Sequence, residues 1–556
     1  MGTQDVKENR CTTFIIGASM AGSCLARQLK LKHPEMDIVL VDRKEEFDHW
    51  VGESTLEAFW DYAVRHLDLN RYLDTNHLYK HGLRFYFDSP EHDLGLSEMS
   101  EMGRTWFHGV PAHQLDRKRF DTDMCEMNKE LGVDVHLGCV VRDIEIDADN
   151  GHLVSTTDGL FRCKYLIDAA GFASPVGKKL NLIESVNERH PVSAYWGRFR
   201  NTADIDLLGN MEWRKRVNHT SRFLATNHFM YKGYWLWLIP VDAEYVSIGL
   251  VTKDDLVDIT ISNQKEFVEF LLSHKVMKEI LSDEPEIVDY KGMKKLARRA
   301  KTSYSTDRWF LTGMSSAFMD PMFSPGSAYL ADANRMIGDL IETDMMGKKQ
   351  EYIDKAAAYN VFSKLWFENF LLHISGNYHG SYELHRVLFE ALLMHWFGVI
   401  LPFSMSENWG YDPARSGLSE NDLMMKANEM LEVSAIKKIH YIKDELAEYL
   451  DKRGIKFSRN AGEYLDIEIG SRRMRHTNSA GAMLSEMEIQ SVENEMIEVS
   501  YKLSLLRIAE IEDVKVSMEK VDSVIMEVMK NNLSLMQGFS KLKEFSMIND
   551  EMMVTS

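Results

Sequence analysis

The stretch AFMDPMFSPGS, Ala317 to Ser327, carries residue types suited to holding a small anion. A tight turn ending in Ser-x-Gly can aim backbone N–H groups at a negative ion, which makes Ser324, Gly326 and Ser327 candidates. Pro325, inside the same turn, has no N–H to give. A second anion-binding pattern lies near the start, in TTFIIGASMAGSCLARQLKLKHPEMDIVLVDRK. Gly17 makes a turn after a β-branched strand, and Ser19 stands where a second glycine is usual. Ala21 and Gly22 are small enough for a helix to pack against that strand. The helix N-terminus then faces a pyrophosphate, while Asp42, with Arg43 beside it, is placed for a ribose diol. Small residues also serve close packing, but strand, turn, helix and acid in this order point to a dinucleotide.

Downstream, HQLDRKRFDTDM is expected to set Gln114, Arg117 and Arg119 at the start of a helix, either against the cofactor or as a solvated basic face. Short strands follow, punctuated by Asn-Gly and Asp-Gly hairpin turns, and end in Asp168-Ala169-Ala170-Gly171. This order resembles FAD proteins built like aromatic hydroxylases. The resemblance implies that Val141, with Val140, lies by the adenine, core packing being the alternative. It also implies that the Asp168 strand packs under the dinucleotide.

Three further stretches resemble the flavin-dependent halogenases. Trp235-Leu236-Trp237-Leu238-Ile239-Pro240 matches the family's Trp-x-Trp-x-Ile-Pro in full, although alternating tryptophans also suit a strand buried on both faces. The resemblance implies that Trp235, Trp237, Ile239 and Pro240 wall the flavin off from the organic substrate. Lys80-His81-Gly82-x-x-Phe85, after the Gly52-Glu53-Ser54 of WVGEST, resembles the segment that carries the family's active-site lysine. It implies Glu53 as a catalytic carboxylate, Ser54 beside the flavin, and Lys80 as the group that receives hypohalous acid released from a flavin hydroperoxide. Lys80 would either hydrogen-bond that electrophile or form a haloamine, the latter requiring a neutral, desolvated amine. In the third stretch Gly313, Phe318, Asp320, Pro321, Ser324 and Gly326 match the family pattern. Met314 replaces an acid there, which predicts weaker or shifted cofactor binding. Pro325 removes one of two N–H donors to a desolvated halide, at a cost of about 1–3 kcal/mol. The halide site is therefore expected to be impaired or rebuilt on Gly326 and Ser327.

These implied parts need a fold to hold them. The 556 residues, 45% hydrophobic, suffice for two or three domains. The net charge of -20 argues against nucleic acid as a partner. The five cysteines show no metal or disulfide spacing, and the polar opening predicts a cytoplasmic protein. ALLMHWFGVILPF, Ala391 to Phe403, reads as a core or pocket-lining helix too short to span a bilayer. The fold class expected is α/β (α+β), with a Rossmann-like FAD-binding domain from residues 10–190 and 300–345. A substrate-side β-sheet layer covers 190–300, and a helical region covers 346–556. In that last region Val514, Met518, Val521, Ile525, Val528, Asn532 and Leu535 keep heptad spacing, for packing either in cis or in a homodimer. KGMKKLARRAK, Lys291 to Lys301, is a basic run that reads either as a solvated helix face or flavin-site edge, or as a dock for an acidic carrier protein. No second dinucleotide fingerprint is visible, so reduced FAD is expected from a separate flavin reductase, with O2 and chloride or bromide as co-substrates. The function implied is halogenation of an electron-rich aromatic, phenolic or carrier-bound. The alternatives are a monooxygenase or dehydrogenase on the same scaffold, and a non-catalytic flavin-fold partner.

Overall fold

The computed structural model describes residues 8–106, 110–407, 409, 411–412, 417–432, 434–455, 464–466 and 486–554. The opening heptapeptide, and part of the helical region expected over 346–556, lie outside them.

Strands Glu8–Ile16 and Ile38–Asp42 pair in parallel, Ile16 opposite Val41, with helix Met20–Lys32 as the crossover. Leu160–Asp168 joins in parallel on the other side, Ile16 opposite Asp168. This register brings the Gly17 turn and the Asp168 turn to one edge of the sheet. Asp134–Leu137 extends the sheet beyond Ile38–Asp42. Val141–Glu145 and His152–Thr156 extend it antiparallel, through hairpins at Asn150-Gly151 and Asp158-Gly159. Trp309–Leu311 completes seven strands among the described residues. The apolar run of Ile38–Val41 is buried throughout, as a parallel strand covered on both faces requires.

A second, eight-stranded sheet among the described residues runs Glu286–Met293, Val192–Arg200, Val246–Lys253, Tyr234–Pro240, Thr226–Tyr231, Leu83–Phe87, Ser100–Gly103 and Tyr464–Asp466. Tyr234–Pro240, which holds Trp235 and Trp237, lies centrally in it and is fully buried. Gly249 on the neighbouring strand stands opposite Trp237, where a Cβ would sit 2.2 Å from the indole. The glycine is therefore what lets the ring lie flat on the sheet.

Helices close the other side. Pro325–Met345 packs on Met20–Lys32 and Glu57–Arg65, followed by Lys349–Ser375 and Tyr382–His395. The last runs through a π-turn at Trp396–Ile400 into Leu401–Ser406. Pro402 explains the turn: it lacks an N–H and its ring crowds the carbonyl four residues back, so the helix widens, and Leu401 N–H bonds to Trp396 O instead. The short apolar segment expected from sequence is thus part of a longer helical stretch, Tyr382–Ser406. By length and composition this stretch could cross a membrane, yet 78% of its most apolar window is buried in the protein.

Two readings are narrowed by the structure. The heptad seam is not one helix. Val514 lies in the link between Glu486–Ile511 and Met518–Asn531, and Asn532 ends the latter at φ 48°. Asparagine tolerates that left-handed geometry, so the chain turns, and Leu535 begins another helix. Val521, Ile525, Val528 and Leu535 are buried within the same chain, where Met518–Asn531 packs on Glu486–Ile511 and Leu535–Val554. Nor is KGMKKLARRAK a helix. It is the end of strand Glu286–Met293 followed by strand Arg298–Ala300.

Candidate active site

Gly17 has φ 105°, and a Cβ on Gly22 would lie 1.9 Å from Gly17 O, so the first turn and helix can meet only as glycines. Ser19 caps the helix Met20–Lys32 in position but not by its side chain. Its hydroxyl donates to Asp121 Oδ2 at 2.7 Å and accepts from Arg117 Nη2 at 2.8 Å. Arg117 also pairs with Asp121 at 2.9 Å and donates to Val51 O, which fastens the first turn to the helix Arg117–Glu130. Asp42 accepts from Ala18 N–H and Lys44 N–H, both at 2.9 Å. Gly17, Ser19, Asp42 and Arg117 border a cavity of about 610 Å³ that also takes in Ala21, Arg43, Val141, Gly313, Pro321, Trp235, Trp237 and Ile239. A glycine-lined helix N-terminus, an acid at the adjoining strand end and an apolar far wall fit FAD.

Several expected contacts fall elsewhere. Gly22 lies behind the cavity, where it serves helix–strand packing. Asp168 is fully buried beneath the cavity, where it accepts from Ala170 N–H, Val176 N–H, Ser174 Oγ and Ser315 Oγ at 2.8–3.1 Å. Burial pushes its carboxyl up against those bonds. Gln114 sits on strand His113–Gln114, not on a helix, and donates to Thr226 Oγ1 at 2.9 Å. Arg119 is out on the surface face, beside Asp123 at 3.6 Å. Pro240 ends its strand away from the cavity that Trp235 and Trp237 line. Met314 borders the cavity, and its carbonyl accepts from Arg298, which also donates to Gly171 O and Phe172 O. Arg298, from the basic run, stitches together two turns of the cavity wall, and burial lowers it to about 10.

At the opening turn, Phe323 and Ser324 take φ of 66° and 60°, two successive non-glycine residues in the left-handed region. Pro325 is the first residue of helix Pro325–Met345, where a missing N–H costs no intrahelical bond. The N–H groups of Gly326 and Ser327 follow in the first turn, which has no intrahelical acceptors. A Cβ on Gly326 would meet nothing within 4 Å, and the residue borders open cavity. Ser324 Oγ donates to Ser54 Oγ at 2.9 Å, and Ser54 Oγ pairs with Thr226 Oγ1 at 2.7 Å. Ser327 Oγ accepts from Leu56 N–H at 3.1 Å. Asp320 accepts from His190 Nε2 at 2.8 Å, from Met322 N–H and from Tyr378 OH, and Tyr378 OH in turn accepts from Trp235 Nε1 at 3.2 Å.

Lys80 lies in a second cavity of about 420 Å³, walled by Leu56, Phe323, Phe370, Phe389, Trp396 and Phe397 among others. Its Nζ donates to Thr55 O at 2.8 Å and the residue is only 7% exposed. Burial pushes the ammonium down to about 7, Glu57 opposing and Arg104 adding to the shift. Two short segments line both cavities. Ser54, Ser324 and Ser327 face the first, while Leu56, Glu57 and Phe323 face the second. Rings fill the remaining wall: Trp235 contacts His228, which stacks on Phe85 at 4.5 Å, and Phe85 packs on Phe323 and Phe389. Glu53 does not reach Lys80's cavity. It borders the first one and is held by Arg198 Nη2 at 2.5 Å, with both partners at most 2% exposed. Sequence reasoning missed Glu57, Thr226, His228 and Tyr378, none of which sits in a motif of its own, and reached Arg298 only as part of a basic run at the edge of the flavin site. Among the described residues, no group of three or more His, Cys, Asp or Glu is placed to hold a metal ion.

No family model matches the chain. It is 25% identical over 439 residues to the flavin-dependent halogenase chlA of Dictyostelium discoideum, covering 71% of this chain and 70% of that protein. It is 23% identical over 355 residues to a 1H-pyrrole-2-carbonyl-[peptidyl-carrier protein] chlorinase of Pseudomonas fluorescens, covering 59% and 75%. In fold it matches the crystal structure of halogenase PltM with a TM-score of 0.60 at 14% identity, over 89% of this chain and 97% of that one. PltM has also been solved with phloroglucinol and FAD.

Proposed function

With kinship to the flavin-dependent halogenases as the premise, we propose that this protein installs chlorine or bromine on an electron-rich aromatic held in the Lys80 cavity. The chain is a flavin-dependent oxidoreductase of that kind, with FAD as its cofactor; the residue roles, the substrate and the electron source are our reading. Reduced FAD, with O2 and halide, supplies hypohalous acid. The chain's residues do the rest. Gly17, Ser19, Asp42 and Arg117 hold the dinucleotide end, and Trp235, Trp237 and Ile239 keep the organic substrate from the flavin. Gly326 and Ser327 N–H groups are the remaining halide donors after Pro325. The hydroxyls of Ser54, Ser324 and Thr226 offer a polar lining between the two cavities. Lys80, buried and tied to Thr55 O, receives the electrophile as a neutral amine or through a hydrogen bond.

The observation that carries this reading is the buried lysine in an aromatic cavity separated from the flavin cavity by a wall of rings. A relative acting on a carrier-bound pyrrole and one crystallised with phloroglucinol frame the substrate as a small aromatic, free or carrier-tethered. The test supplies chemically reduced FAD, O2 and bromide, with a phenol as trap. Halogenated phenol that disappears in Lys80→Ala while FAD binding persists is the expected result, and retained in-cavity halogenation refutes the lysine's role. Pro325 favours one second reading, a monooxygenase or dehydrogenase, which predicts turnover independent of halide; a strict halide requirement excludes it.

A further inference from the structure

Glu57 opens the helix Glu57–Arg65, where a carboxylate suits the helix dipole. It faces the same cavity as Lys80 and is only 8% exposed. Its Oε2 accepts from Trp396 Nε1 at 3.2 Å. Its Oε1 has no hydrogen-bond partner among the described residues. Lys80 Nζ donates to Thr55 O at 2.8 Å and makes no bond to Glu57. On the same wall Phe370, Phe389, Leu392 and Phe397 offer no donor, and the cation that joins Lys80 there is Arg104, which forms no ion pair with Glu57 within 4 Å among the described residues. A carboxylate at a cavity wall whose oxygen has no protein donor takes its hydrogen bond from what enters that cavity, water or ligand.

We propose that Glu57 is the substrate-facing carboxylate of this cavity: it accepts the O–H or ring N–H of an electron-rich arene and draws on that proton as the ring is halogenated. The proposal rests on the halogenase reading above and names its substrate class, hydroxyarenes or N–H heteroarenes. As the step runs, ring electrons form the carbon–halogen bond and the halogen–oxygen bond of hypohalous acid breaks, its electrons leaving with oxygen as hydroxide. Glu57 takes up the donor proton while positive charge builds on the ring. The halogenated carbon then loses its own proton to hydroxide, giving water, and Glu57 returns the proton it held. Trp396, seated by the π-turn that Pro402 enforces, is a positioning residue that leaves one oxygen free for the substrate.

The test compares two probe pairs, resorcinol with 1,3-dimethoxybenzene and pyrrole with N-methylpyrrole, using full-length protein, reduced FAD, O2 and bromide. The wild-type protein is expected to favour the donor-bearing member of at least one pair, and the pair favoured tells hydroxyarene from N–H heteroarene. In Glu57→Gln that preference should collapse by on the order of a hundredfold, while hypohalous acid captured by an external thioether stays at the wild-type level. Trp396→Phe should shift the preference the same way by less. Calorimetric binding of resorcinol to the protein with oxidised FAD should weaken in Glu57→Gln, a readout independent of turnover. Unchanged preference and unchanged resorcinol binding in Glu57→Gln overturn the proposal. If the wild-type protein releases no hypohalous acid, the halogenase reading fails and takes this step with it, a result distinct from a Glu57 that proves indifferent.

Discussion

Lys80 is an amine whose surroundings work against its charge. Burial lowers it from 10.5 to about 7. Between those values the unfolded chain holds a proton that the folded chain lacks, so stability gains as pH rises through that window, and below about 7 the burial penalty stands in full. Lys80→Met is therefore expected to raise the melting temperature more at pH 6 than at pH 10, checked by thermal melts at both. If the neutral amine is the working form, halogenation should climb as pH rises through about 7. At Thr226, replacement by Val strands the Gln114 amide and one Ser54 contact. This should cost about 1–3 kcal/mol, read as a lower denaturant midpoint. Lys80 was legible in the sequence only through its neighbours Gly52-Glu53-Ser54 and the motif that follows. Glu57 was not: it is one of 85 acidic residues, and the tryptophan that marks it lies 339 positions away along the chain. Glu53 shows the converse, a motif carboxylate that the fold engages in an ion pair with Arg198.

At the level of elements, the helices over the substrate cavity carry an unusual load of buried imidazoles. His373 and His395 meet at 3.1 Å, and His379, His385 and His440 are packed nearby. Burial lowers all of them, His395 and His440 to about 4 and His379 to about 3. The unfolded chain binds more protons from about pH 6.5 downward, so their contribution is intact above 6.5 and drains away as pH falls toward 4. Near-ultraviolet circular dichroism at pH 7.5 and 5.0 should show tertiary signal lost at the lower pH. His373→Leu combined with His395→Leu should blunt that loss. The alternating tryptophans and the βαβ unit could be read as elements because each is local and periodic. The π-turn and the break at Asn532 could not, since a heptad count does not register a residue that prefers left-handed geometry or a proline inside a helix.

For the whole molecule, the net charge of -20 would repel a doubly phosphorylated cofactor, yet cations stand at the FAD cavity. Arg43 and Lys44 border it, and Lys44 and Lys291 flank the Trp50 ring at 5.2 and 5.0 Å. Uptake of reduced FAD is expected to slow as salt rises, and Lys44→Glu with Lys291→Glu should slow it further and flatten the salt dependence, measured by stopped-flow fluorescence. Pattern changes along the chain suggested a dinucleotide sheet, a second sheet and a helical end, but strands Leu83–Phe87, Ser100–Gly103 and Tyr464–Asp466 join the second sheet from outside residues 190–300. How those parts share one wall was not legible there, because contacts between residues 54–57 and 323–327 bridge some 270 positions. That shared wall has a consequence for anyone evolving the protein. The same few side chains contour both the cofactor chamber and the substrate chamber, so improvements sought separately for the two will interfere. Pairs of changes drawn one from each segment should depart from additivity, and the order in which they are acquired will decide which paths stay open.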